Sequence, residues 1–212
     1  MSRRVKLGAT VIRLVGSFAL AFCVLVRSSD ASASPPAGLV AGLDGVLGVG
    51  WTKVNESVAD TERDFTQKHV GSGMFAAYGY SIPQLTLDYV WQGGLSVGGA
   101  FGAFYSSSDE SGEDVSVTSF LLELRAGYYF QLGRRVALWP KLGVVNRSSD
   151  PGEGPRRSHT ALALQVPFVL RGEEQRVWPF IGPYFDLGLG GGYDDVDQRV
   201  TELGLSLGLQ LW

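Results

Sequence analysis

TELGLSLGLQLW (Thr201–Trp212) places leucine at 203, 205, 207, 209 and 211, with only Gly, Ser or Gln between them. Successive side chains of a β-strand point to opposite faces. A strict period of two therefore gives one apolar face and one small or polar face. The fold turns on what touches the leucines and on why the opposite face carries so little bulk.

The same pattern recurs upstream. Leu39, Leu43, Leu47, Val49 and Trp51 hold odd positions across 39–51. Leu85, Leu87, Tyr89 and Trp91 alternate with Thr86 and Asp88, and Leu95, Val97, Phe101 and Tyr105 with Ser96, Gly98, Ala100 and Gly102. Phe120, Leu122, Leu124, Ala126, Tyr128 and Phe130 oppose Glu123, Arg125 and Gly127. Leu142 and Val144 oppose Lys141 and Gly143, Leu162 and Leu164 oppose Ala163 and Gln165, and Ile181 and Leu187 oppose Gly182 and Asp186. With one long strand across 70–91, these runs predict eight strands. No helical period intervenes after residue 34, so the fold class is all-β and antiparallel.

The connectors alternate in kind. Short turns are expected at 92–94, 132–134 and 172–175, and long polar loops at 53–67, 106–114, 147–158 and 190–198. Short turns on one rim, long loops on the other and an even strand number are the layout of an up-and-down transmembrane β-barrel, with short periplasmic turns and long extracellular loops.

Eight strands enclose an interior only just wide enough for side chains. Leucine, phenylalanine and tyrosine from every strand would overfill it, whereas Gly42, Gly98, Gly182, Gly204 and Gly208 fit. The leucines therefore point outward, and outward means lipid, because burying one such side chain is worth ~1.5–3 kcal/mol. The inward parity then carries Asp44, Asp88, Glu123, Arg125, Lys141, Asp186 and Glu202, with Gln165 and Gln210. A mixed set of buried charges is expected to satisfy itself as a structural plug, with a proton or solute path as the competing role. Trp51, Tyr89, Trp91, Tyr128, Phe130, Trp178 and Trp212 lie near strand ends and are expected to form belts at the membrane–water interfaces.

Residues 1–33 read as a cleaved signal peptide, leaving 34–212 as the barrel domain. Arg3, Arg4 and Lys6 precede the apolar run from Leu14 to Val26, and Ala31-Ser32-Ala33 supplies small residues for cleavage. The run is too short for the ~20 residues that a spanning helix needs. The single cysteine, Cys23, follows the bulky Phe22, which does not suit a lipid-modified cysteine. Without 1–33 the chain has no cysteine and is distinctly acidic, which argues against nucleic acid as a partner.

In this pattern the chain resembles the small eight-stranded outer-membrane proteins of the OmpA, OmpX and OmpW type, over essentially all of 38–212. Gly127–Val136 looks like the strand–turn–strand crossing of such barrels. A C-terminal aromatic after an alternating strand resembles their assembly signal, although Trp212 is out of step with Leu207, Leu209 and Leu211. The resemblance implies location in the outer membrane. It implies contact with outer-membrane lipid and lipopolysaccharide, and handling by the outer-membrane assembly machinery. Any extracellular partner stays open.

Some barrels of this size modify lipids. Deacylases of this architecture carry a His-x-Ser pair, but here Gly71 follows His69 and Ala161 follows His159 at that spacing. His159 does adjoin Ser158, a proximity common by chance. Asp194, Asp195 and Asp197 lack EF-hand spacing and read as a solvated acidic loop. No cofactor or metal site is expected, and no enzyme. A structural or surface-interaction barrel ranks first. A narrow channel for small or apolar solutes is the alternative, and a lipid-modifying enzyme comes last.

Overall fold

A strand satisfies its backbone N–H and C=O groups through its neighbours, and a set of strands loses its edges only by closing. The computed structural model of the chain shows that closure. It describes residues 37–58, 61–71, 83–110, 113–150, 156–172, 176–194 and 196–212, without the side chains of 69–71, 106–110 and 113–115. The expected signal segment and the middle of the expected strand at 70–91 lie outside the described residues.

The strands are β1 (Gly38–Val58), β2 (Thr61–Gly71), β3 (Gln84–Val90), β4 (Leu95–Glu110), β5 (Glu113–Tyr128), β6 (Phe130–Gln131), β7 (Val136–Leu138), β8 (Lys141–Asp150), β9 (Arg157–Gln165), β10 (Phe168–Leu170), β11 (Val177–Tyr193) and β12 (Val196–Leu211). β2 and β3 pair with the same strand, β1. β5 runs on into β6, β7 into β8, and β9 into β10, so these stretches form eight staves. All pairings are antiparallel, and β1 closes on β12 from Ala41 opposite Leu211 to Val58 opposite Val196.

The staves are staggered. A row of opposed residues runs from Val40 through Asp88, Gly98, Arg125, Gly143, Ala163, Asp186 and Glu202, and returns to β1 at Thr52 rather than Val40. That offset is the shear of a tilted barrel. β1 also carries a bulge between Leu43 and Leu47. Gly45 takes φ 68° there, a left-handed conformation that glycine adopts without a Cβ clash. Both Val46 and Leu47 are exposed across it, while Asp44 and Gly48 stay inward on either side.

At the turn end, Gly94 (φ 88°) donates its N–H to the Trp91 carbonyl at 2.8 Å. At the other end the long connectors are mostly paired strand rather than irregular loop. β1 and β2 stay in register from Gly48–Gly71 to Val58–Thr61 and β4 and β5 to Glu110–Glu113, while β11 and β12 pair again at Gly192–Asp197 and Tyr193–Val196 after a register shift beyond Asp186. Pairing satisfies the backbone groups of these polar arms, which explains why they extend the wall.

Candidate functional site

The two faces of the wall have inverted polarity. On β12, Leu203, Leu205, Leu207, Leu209 and Leu211 are exposed, while Glu202, Gly204, Ser206, Gly208 and Gln210 are buried. Leu124 and Leu85 are 70% and 64% exposed. From Leu95 to Tyr105 on β4 the apolar face runs eleven residues, whose ten steps at ~3.3 Å each and a tilt near 40° span roughly 25 Å. That is the height of a barrel's lipid-facing band. A wall whose outside is leucine and whose inside is charge faces lipid.

The inward face carries a connected set of buried charges. Arg125 enters from β5 between Gly98 and Gly143, its register neighbours, and a Cβ on Gly143 would sit 2.9 Å from the Arg125 Cβ. Its guanidinium grips Asp88 as a fork, with Nε donating to Oδ1 at 3.0 Å and Nη2 to Oδ2 at 2.6 Å. Nη1 donates to Asp44 Oδ2 at 2.9 Å. Lys141 Nζ donates to Asp88 Oδ2 at 3.0 Å and sits 3.8 Å over the Trp139 ring centroid. Glu123 stands farther off, 4.0 Å from Nη1 of Arg125. Nearby, Arg147 Nη2 pairs with Asp186 Oδ2, and the Tyr184 hydroxyl donates to Glu202 Oε1 at 2.6 Å.

Toward the turn end this polar layer rests on an aromatic floor. Tyr129, Trp139, Trp178 and Phe180 pack with Val40, Val90 and Val169, and Trp212 packs against them. Ring centroids lie 5.6 Å apart for Tyr129–Trp139, 5.3 Å for Tyr129–Trp212 and 5.0 Å for Trp178–Trp212. Trp139 Nε1 donates to Ser96 Oγ at 2.8 Å. Toward the loop end the layer meets a cap of Leu121, Val145, Ala161 and Ala163.

The structure thus buries all seven acidic and basic residues expected in the lumen, but sorts them into groups. Asp44, Asp88, Arg125 and Lys141 form one, with Glu123 at its edge. Asp186 goes to Arg147 and Glu202 to Tyr184. Arg147 was assigned by sequence to a connector, although its odd position matches Lys141 and Gly143 on the same strand. Of the expected interface aromatics, Trp51, Tyr89, Trp91 and Tyr128 are exposed on the outside, and Phe130 is half-buried 4.4 Å from Tyr128. Trp178 and Trp212 are corrections. Trp178 is 6% exposed and both point into the floor, because each shares parity with inward neighbours, Phe180 for one and Gln210 for the other. The floor residues Tyr129 and Trp139, and Tyr184 beside Glu202, were missed, though each also has inward parity. Glycine makes the space for Tyr184: a Cβ on Gly204 would come within 2.7 Å of its ring.

His159 is buried inside, while Ser158 is exposed on the opposite face of β9, so the strand separates that pair. The His69 side chain lies outside the described residues. No group of three His, Cys, Asp or Glu able to hold a metal occurs among the described residues.

No family model and no curated protein matches the chain. Solved structures similar to it include Ail, the attachment invasion locus protein of Yersinia pestis, at 16% identity and TM-score 0.38, covering 82% of this chain and 99% of that one. Neisserial surface protein A matches at 15% identity and TM-score 0.44, covering 82% and 97%. The outer membrane protein OprG from Pseudomonas aeruginosa matches at 13% identity and TM-score 0.46, also covering 82% and 97%.

Proposed function

We propose that this chain is an integral outer-membrane barrel with a structural or surface-interaction role, its lumen closed by its own side chains. The observation that carries the reading is the set of buried side chains inside the wall. The floor of rings and the Arg125–Asp88–Lys141–Asp44 layer, with the aliphatic cluster of β5, β8 and β9 on its loop side, supply inward bulk to an eight-strand interior with little room to spare, which supports a closed lumen. With the route filled, the paired arms beyond the membrane are the surface left to meet partners. Lipopolysaccharide is the expected neighbour of the outward leucines at the loop end.

Planar-bilayer recording of the refolded protein tests the closed lumen. Small, infrequent events are the expected result; steady, large conductance would overturn the plug and favour a channel. On gels the protein is expected to migrate differently before and after boiling and to resist carbonate extraction. A detergent-free, soluble monomer would contradict the membrane reading.

The β1–β2 arm offers a second check. Every described side chain from Thr61 to Lys68 is exposed, and Lys53 pairs with Asp64 at 3.2 Å across the arm. An exposed ion pair of this kind contributes ~0–1 kcal/mol. Replacing 55–64 with a short turn is therefore expected to leave the heat-modifiable fold intact while abolishing binding to whole cells or matrix proteins that the unmodified protein shows. Loss of the folded band would mean that the arm is part of the barrel's stability.

A further inference from the structure

The aromatic floor carries polar atoms that ring packing does not explain. Tyr129 is 1% exposed, and its hydroxyl has no hydrogen-bond partner among the described residues. The same holds for the indole Nε1 of Trp212 and for Nε and Nη1 of Arg171. Buried donors without acceptors are costly, charged ones most of all, so several at one place point to an acceptor that binds there.

These groups lie together. The Arg171 guanidinium sits 4.8 Å over the Trp178 ring, Trp178 stacks 5.0 Å from Trp212, and Trp212 lies 5.3 Å from Tyr129. Arg171 is also close enough to the Tyr129 hydroxyl to act on it electrostatically. Its backbone is fixed, since its N–H donates to the Arg135 carbonyl at 2.8 Å where β10 meets β7. Arg171 and Trp212 are only half-buried, so the group is reached from the turn end.

We propose that this is an oxyanion-binding site. Arg171 supplies the charge and its unpartnered Nε and Nη1 donors, Tyr129 a hydroxyl and Trp212 an indole N–H, with Trp178 as the platform that holds the guanidinium. The ligand chemistry is a carboxylate or phosphate monoanion. A charged guanidinium donor with neutral hydroxyl and indole donors in the same cluster suits both. A free small anion and the phosphate of an anionic lipid headgroup are the two sources of that chemistry at a membrane rim.

The test uses the whole barrel refolded in nanodiscs of neutral lipid, with the tryptophan indole N–H signals followed by NMR. The Trp212 signal is assigned by its loss in Trp212→Phe. Sodium acetate and inorganic phosphate are titrated separately at ionic strength held constant with chloride, and a third series adds anionic lipid to the discs. A saturable shift of the Trp212 signal is expected in at least one series. Response to acetate or phosphate assigns a free anion, and response to anionic lipid alone assigns a headgroup. Arg171→Gln is expected to weaken binding at least tenfold. Tyr129→Phe, which keeps the ring packing, should weaken it severalfold, and Arg171→Lys should fall between wild type and Arg171→Gln. Heat-modifiable mobility confirms that each variant is folded. A linear shift shared with chloride, or one unchanged in Arg171→Gln, would overturn the proposal as an adventitious ion only. So would a response that appears only in Glu173→Gln/Glu174→Gln, because the chain's own turn would then be the occupant.

Discussion

Arg125→Ala is expected to lower the unfolding free energy by about 3–5 kcal/mol in a reversible urea titration in lipid, the cost of breaking a buried ion pair from one side. The guanidinium is the shared partner of Asp88 and Asp44, and its side chain is fully buried. Removing it leaves two buried carboxylates with Lys141 as the remaining cation of their group. Arg125→Ala/Asp88→Ala is expected to cost less than the sum of its single variants, by about 0.5–3 kcal/mol, because the double change strands fewer charges. Additive costs would mean that the two side chains do not depend on each other, and the fork between them would lose its structural role. Under the proposed closed lumen, the same double variant should raise the frequency of conductance events, since it removes two of the inward side chains.

Leu207→Arg is expected to cost about 2–4 kcal/mol, the penalty for arginine on the lipid face near the midplane. Ser206→Lys, one residue away, should cost much less. Ser206 faces inward between Gly182 on β11 and Gly48 on β1, so its lysine would meet the polar interior and not acyl chains, at a packing cost set by the room there. Equal penalties in the same folding assay would mean that the faces are misassigned. A larger penalty at 206 would mean that the lumen is packed more tightly than those glycines indicate.

Most of the wall was legible because alternation is a local property. Leu203 to Leu211 declare their face without reference to any partner, and the same holds on β3, β4 and β5. Parity also contained the floor. Trp178 and Trp212 were assigned to the interfaces by their position near strand ends, against their inward parity, and the structure follows parity. The mismatch of Trp212 with the leucines is thus a structural statement: the ring packs against the inward aromatic cluster instead of facing lipid.

What sequence did not reveal depends on the stagger. Which carboxylate meets Arg125 is set by a row that climbs from Val40 to Thr52 around the circuit, and no single strand encodes that offset. Arg147 was hidden for another reason, since a polar stretch beyond the apolar band reads equally as loop or as paired arm. Leu121 broke the rule that apolar means outward: it is 0% exposed on the inward side, where it caps the charges.

Leucine-methyl NMR of the unmodified protein in nanodiscs tests the assignment of faces most directly, because it needs no substitution. A radical placed deep among the acyl chains is predicted to broaden the methyl signals of Leu203, Leu205, Leu207 and Leu209 and to leave those of Leu121 sharp. A water-soluble radical is predicted to affect none of them. Broadening of the β12 leucines by the water-soluble radical, or of Leu121 by the lipid-borne one, would contradict the account.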